Sequence, residues 1–215
     1  EAIHKHPISS AEVKKKWNIM AFSSSNLPQY EFLGRGKPPK KLEDYKGMTV
    51  RALGGMAGAM RALGASIATM TATEVYQAIE RGAADAVSFP STYAHSAYKV
   101  DEVATWFTSN MSPGTNDCPN VISITAWNNL PEQYKKLMYQ AREKGYAALK
   151  AAYSAKDKVN LPKWRKKMTE IKYSDAELAR FQKAGGQPVY DKWVAKYKGD
   201  FDSQSMLDAV LAAAK

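Results

Sequence analysis

Residues 42–90, LEDYKGMTVRALGGMAGAMRALGASIATMTATEVYQAIERGAADAVSFP, constrain this chain more than any other stretch. Residues 48–53 are a short apolar run with a β-branched member, which predicts a strand. Gly54 and Gly55 break it, and residues 56–63 then carry apolar side chains at helical spacing. A second strand is expected over 66–70. Thr73 stands where it can cap a helix that runs to Arg81 and closes on Gly82. A third strand is expected over 84–89. Strand, helix, strand, helix and strand within about fifty residues predict an α/β unit with parallel pairing.

Arg51 falls near the carboxyl end of the first of these strands, with the glycine-lined turn just behind it. Ligands of open α/β sheets collect outside the carboxyl ends of strands, where the following helix also points its positive end. A guanidinium there can grip a carboxylate through two parallel hydrogen bonds. Taken as a residue type alone, Arg51 is equally an arginine whose stem packs on a sheet edge while its head stays in water.

The surrounding motifs favour the first reading. KLEDYKGMTVR, the small-residue turn, RALGA, TEVYQAIERGAADA and the closing Phe89-Pro90 resemble the solute-binding subunits of TRAP (tripartite ATP-independent periplasmic) transporters. Leu130-Pro131-Glu132-Gln133-Tyr134-Lys135 resembles the start of that family's long helix. The resemblance spans residues 42–155 well and the flanks more loosely. It implies a periplasmic-binding-protein-like α/β fold of two lobes, with a long lobe-spanning helix and the ligand between the lobes. The chain begins at Glu1 without an initiator Met or a signal-peptide core, and the family carries a further N-terminal stretch, so the first lobe is expected to be incomplete. The implied division is 1–47 for the remainder of the first lobe and a connector, 48–126 for the second lobe, and 127–215 for the long helix and C-terminal helices. It further implies that Arg51 holds the carboxylate of a small organic acid, that no cofactor is needed, and that the partners are TRAP membrane subunits met in the periplasm.

Two departures narrow the expected ligand. Where many members of the family carry a ligand-contacting Asn, this chain has Phe89, which favours an apolar or aromatic acid over a heavily hydroxylated one. Where some members, the sialic-acid binders among them, place a second arginine, this chain has Glu31, whose carboxylate would repel an anion or help to hold a cation or amine. Tyr93 and His95, in the helix expected over 91–98, fall near the implied cleft, although a lone His there is more often part of the scaffold. The turn-forming loop 110–120, between strands expected at 104–109 and 121–125, adds Asn110 and Met111 as candidate contacts.

The remaining features exclude more than they assign. No run of eighteen apolar residues exists, so the chain does not span a membrane as a helix. Cys118 stands alone, which rules out an internal disulfide. The net charge of +10 comes from lysines scattered over 14–16, 37–41 and 163–167 with no nucleic-acid motif among them, so solvated surface is expected rather than a nucleic-acid footprint. His4 and His6 lack further ligands at metal-site spacing. No nucleophile elbow, Walker loop or His-Glu-x-x-His occurs, which argues against an enzyme. Further elements are expected as a helix over 11–16, strands over 17–22 and 30–33, an exposed connector over 34–41, a helix over 131–153 with one apolar stripe, a short basic helix over 161–168, a Ser174-capped helix ending at Gly185-Gly186, and helices over 188–197 and 203–214. The alternative is a ligand-free interaction fragment whose basic surface meets an anionic partner.

Overall fold

The computed structural model describes residues 2–25 and 27–213. Glu1, Asn26 of the loop expected after residue 22, and Ala214 of the last expected helix lie outside the described residues. In chain order the elements are α1 (Ala2–Lys5), α2 (Pro7–Trp17), β1 (Ile19–Ser24), β2 (Tyr30–Gly34), β3 (Thr49–Arg51), α3 (Gly54–Ala62), β4 (Ser66–Ala68), α4 (Val75–Glu80), β5 (Ala86–Pro90), α5 (Tyr93–Ala97), α6 (Val100–Val103) and β6 (Trp106–Thr108). They continue as β7 (Pro119–Ser123), α7 (Ile124–Asn129), α8 (Glu132–Lys167), β8 (Thr169–Ile171), α9 (Asp175–Phe181), α10 (Gln187–Tyr197) and α11 (Ser203–Ala213). The chain divides into two compact units, the first made of residues 1–27, 116–152 and 190–215, the second of 28–115 and 153–189.

The second unit is built on a six-stranded sheet in the order β4-β3-β5-β2-β6-β8. β3 pairs in parallel with β4 and β5, as the alternating pattern of residues 42–90 predicts, and β6 pairs in parallel with β8. β2 runs antiparallel to β5 and β6, with Tyr30 opposite Pro90. One edge of the sheet therefore gathers the carboxyl ends of β3, β5 and β6 with the start of β2, and brings Arg51, Pro90, Thr108 and Tyr30 to a common rim. β2 corrects the expected division at residue 47, because it lies in the middle of the second unit's sheet. All five of its residues are buried, a pattern that requires neighbours on both sides and cover on both faces. Its last residue is Gly34 because a Cβ there would stand 2.2 Å from the Trp106 ring and 2.4 Å from the Asp85 carbonyl. Leu33, Val87, Phe107, Ile79, Val100 and Trp164 form the centre of the core between sheet and helices.

Several helix ends differ from the sequence expectation. Thr71, not Thr73, opens the segment before α4. Its backbone N–H donates to Glu74 at 2.7 Å, and a 3₁₀ turn over Ala72–Glu74 precedes the helix. The strand expected to reach residue 125 stops at Ser123, whose hydroxyl accepts the Ala126 N–H and so starts α7. The short basic helix expected over 161–168 is the end of α8, which runs 36 residues with Pro162 inside it. Two side chains fix the helix on either side of that proline. Asn160 Nδ2 donates to Thr92 Oγ1 at 3.0 Å and Trp164 Nε1 to Asp101 Oδ2 at 3.0 Å, so tertiary contacts outweigh the lost backbone bond. Gly185-Gly186 does not end α9 either, since a π-helical turn over Gln182–Gly186 leads straight into α10. A Cβ on Gly185 would meet the Phe181 ring at 2.9 Å and the Ala59 methyl at 3.3 Å, so this glycine serves the approach of α3 rather than a helix stop. Of the connector expected over 34–41, Gly34 belongs to buried β2, and the rest is exposed except around Pro39, which is buried and whose carbonyl accepts the Tyr173 hydroxyl at 2.7 Å.

The first unit pairs β1 with β7 in a two-stranded antiparallel sheet. Phe22, Trp127 and Tyr139 form a ring triad with centroids 5.5 Å apart. Arg142 lies over Phe22 and Tyr139, and Lys135 over Trp127. The apolar stripe expected to pack α8 is largely in solvent instead, with Tyr134 50% and Leu137 57% exposed. These burials set a contrast in stability. Leu33→Ala, in the fully buried centre of β2, is expected to cost about 3 kcal/mol in urea unfolding, whereas Leu137→Ala should stay within about 0.5 kcal/mol of the parent.

Candidate functional site

β3 delivers Arg51 to the common rim, and the chain turns through Ala52 and Leu53 into the N-terminus of α3. The arginine is only 4% exposed. Its Nη1 donates to the Ser88 carbonyl at 3.3 Å, and its Nε and Nη2 reach the Met70 carbonyl at 3.4 and 3.5 Å. Its guanidinium carbon stands 4.9 Å from the centre of the Phe89 ring. Every one of these neighbours is a neutral dipole or a ring face, and burial lowers the arginine's pKa from its ordinary value. A desolvated guanidinium held by long bonds to carbonyls retains strong demand for an anion.

Phe89 stands against Arg51 and also belongs to the apolar core. It stacks on Tyr98 with centroids 5.1 Å apart and planes 13° from parallel. Tyr98 is 38% exposed, so the stack reaches solvent through that ring. Sequence reasoning did not single out Tyr98. It follows the short helix α5, and Lys99 turns the chain back with a φ of 58°. Nothing in the local pattern signals that this reversal lays the ring on Phe89.

The other expected contacts are spread along the rim and largely occupied. Glu31 is buried and accepts from Thr108 Oγ1 at 2.5 Å, from the Met111 and Ser112 N–H groups at 3.2 and 3.0 Å, and from Ser112 Oγ at 3.2 Å. Burial pushes its pKa up, and these donors pull it back. Its carboxylate thus fastens the 110–112 loop to β2. Asn110 completes that fastening, since its Nδ2 donates to the Tyr173 carbonyl and its Oδ1 accepts the Tyr173 N–H, both at 2.8 Å. Met111 is buried with its sulfur 3.3 Å from the Tyr45 hydroxyl. Tyr93 stacks on Tyr153 at 4.7 Å. His95 has no exposure, and its Nε2 lies 3.0 Å from the Glu31 carbonyl, an arrangement that places the ring proton on Nε2. Its Nδ1 has no partner among the described residues. Burial drives its pKa down to about 4, so it is neutral at physiological pH. Among the described residues no group of three or more His, Cys, Asp or Glu is placed to hold a metal ion.

Residues 9–197 match the family described as bacterial extracellular solute-binding protein, family 7. The chain belongs to this family, the solute-binding subunits of TRAP transporters, which are binding proteins rather than enzymes. A monocarboxylate 2-oxoacid-binding periplasmic protein of Nostoc sp. is 27% identical over 122 residues, which are 55% of this chain and 33% of that relative. A solute-binding protein of Albidiferax ferrireducens is 28% identical over 173 residues, 77% of this chain and 50% of the relative. The chain thus spans half or less of the length of these curated relatives. A TRAP periplasmic solute-binding protein from Desulfovibrio salexigens, solved with bound orotic acid, shares the fold with a TM-score of 0.80 at 18% identity, covering 95% of this chain and 65% of that one.

Two measurements probe this network. The folded pKa of His95 is about 4 against an ordinary 6.5, so below pH 6.5 the unfolded chain binds a proton that the folded chain refuses. Stability should fall as pH drops from 6.5 to 4, by about 3 kcal/mol from this residue. Glu31 opposes it, because a raised carboxyl pKa favours the folded state as pH falls. The His95 part is isolated by subtracting the pH profile of His95→Gln, which should lack that loss. Glu31→Ala, which strips the 110–112 loop of its acceptor, should destabilise by about 3 kcal/mol and speed amide exchange at Met111 and Ser112.

Proposed function

We propose that this chain is the carboxylate-holding part of a periplasmic solute-binding protein that delivers an organic acid to TRAP membrane subunits. The observation that carries the proposal is Arg51, a buried guanidinium at the carboxyl edge of a parallel strand whose contacts are backbone carbonyls and a ring rather than an anion. A ligand carboxylate would supply the two parallel acceptors that the guanidinium fork is shaped for, in a site where little water competes. The family membership supports the same reading, as do the carboxylates bound by its relatives, a 2-oxoacid in one and orotic acid in another. The family supports periplasmic placement, and among the described residues no helix is long and apolar enough to cross a membrane. Glu31 has no direct part in ligand contact in this reading. It holds the rim in shape.

Calorimetric titration with organic acids tests the proposal. Arg51→Ala should weaken binding at least a hundredfold while circular dichroism and the unfolding transition stay those of a folded protein. Arg51→Lys should recover little of it, because an ammonium cannot supply the planar fork. Unchanged affinity in Arg51→Ala would remove the central assignment.

A further inference from the structure

We infer that the Arg51 site selects a monocarboxylate with a flat aromatic or conjugated body, and that Tyr98 is a specificity-determining residue for it; this rests on the carboxylate reading of Arg51. The argument is an accounting of polar groups along the rim. A sugar acid or a dicarboxylate needs hydrogen-bonding partners beyond the one guanidinium, and Glu31, Thr108, Asn110 and Thr92 have spent theirs within the protein. All four contacts of the Glu31 carboxylate go to Thr108, Met111 and Ser112. Thr108 Oγ1 also accepts the Phe32 N–H at 2.8 Å, which uses both its roles. Asn110 has its amide nitrogen and oxygen on the Tyr173 backbone. Thr92 accepts from Asn160 through its hydroxyl and donates its N–H to Asp157. The Ser88 hydroxyl has no partner among the described residues, but Ser88 has no exposure at all.

What the rim does offer beside the guanidinium is ring surface. Phe89 lies against Arg51, and Tyr98 lies against Phe89 and opens to solvent. Tyr98 is the exposed ring of this pair, and an aromatic or conjugated ligand body laid against it gains area and ring contact. A second carboxylate or a run of hydroxyls brought against the ring faces loses more water than the Tyr98 hydroxyl replaces. That loss weakens binding by about ten- to a hundredfold for each group.

The test is a competition among simple acids on the full chain, using phenylacetate, acetate, succinate and galacturonate as probes, with Tyr98→Ala beside the parent. Phenylacetate should bind at least tenfold more tightly than succinate or galacturonate. Tyr98→Ala, which trims a partly exposed ring and leaves the core intact, should cost phenylacetate fivefold or more and leave acetate unchanged. Succinate or galacturonate binding as tightly as phenylacetate would overturn the inference while leaving Arg51 as a carboxylate holder. An equal loss for acetate and phenylacetate in Tyr98→Ala would also overturn it, by making Tyr98 a support for the site as a whole. Failure of every acid to bind the parent would overturn the inference together with the Arg51 reading.

Discussion

A positive charge without a negative partner among the described residues, held at the rim of a sheet, is the constraint on which the rest of this rim depends. Removing a guanidinium from water is costly unless oriented dipoles or a counter-charge replace the solvent. At Arg51 the replacement is partial, since the Ser88 and Met70 carbonyls stand at 3.3–3.5 Å and the Phe89 ring offers its face. Those carbonyls stay in place because β3 is paired on both sides, with β4 carrying the chain toward Met70 and β5 carrying Ser88. An internal carboxylate would have quenched the charge and closed the site to ligands. Glu31 comes from the neighbouring β2, yet its oxygens are taken by the hydroxyl and amide donors of residues 108–112. The acid and the base on this rim are thus employed separately, one fastening a loop and the other bonded to carbonyls beside a ring.

Much of the second unit was legible because its signals are local and agree with one another. The apolar run before Gly54, the helical spacing after it and the left-handed Gly82, with φ of 73°, led to parallel strands where parallel strands exist. What misled was context. Thr73 and Thr71 are equally good caps by residue type, and only the reach of Glu74 back to the Thr71 N–H decides between them. α8 shows the same effect on a larger scale. Its apolar residues Tyr134 and Leu137 face solvent, while the less exposed positions of its first half include Lys135 and Arg142. Long cationic side chains laid over Trp127, Phe22 and Tyr139 do the packing that a hydrophobicity pattern assigns to apolar side chains.

The candidate site divides along a similar line. The place of Arg51 at a strand end was legible, because the charge, the strand end and the glycines all lie within a few residues. Glu31, Asn110 and Met111 were findable as rim residues but not as to role, since a carboxylate or amide at a rim serves a ligand or a loop equally well in sequence. The loop wins here for a countable reason. Residues 110–112 form no ladder, so their N–H groups need acceptors, and Glu31 is the acceptor that β2 places within reach. Tyr98 was beyond reach, because its partner is set by a chain reversal at Lys99 rather than by spacing.

This division of labour bears on how such a rim acquires selectivity. A site that recognises hydroxyls must keep polar side chains unsatisfied until the ligand arrives, and each waiting group loosens the loop that carries it. The rim of this chain has taken the opposite course, with Glu31, Thr108 and Asn110 committed inward and the 110–112 loop fastened to β2 and to Tyr173 in return. Loop fastening and polar discrimination therefore draw on the same side chains. With those committed, the proposed choice among acids falls to shape and ring surface, beside the buried charge at Arg51.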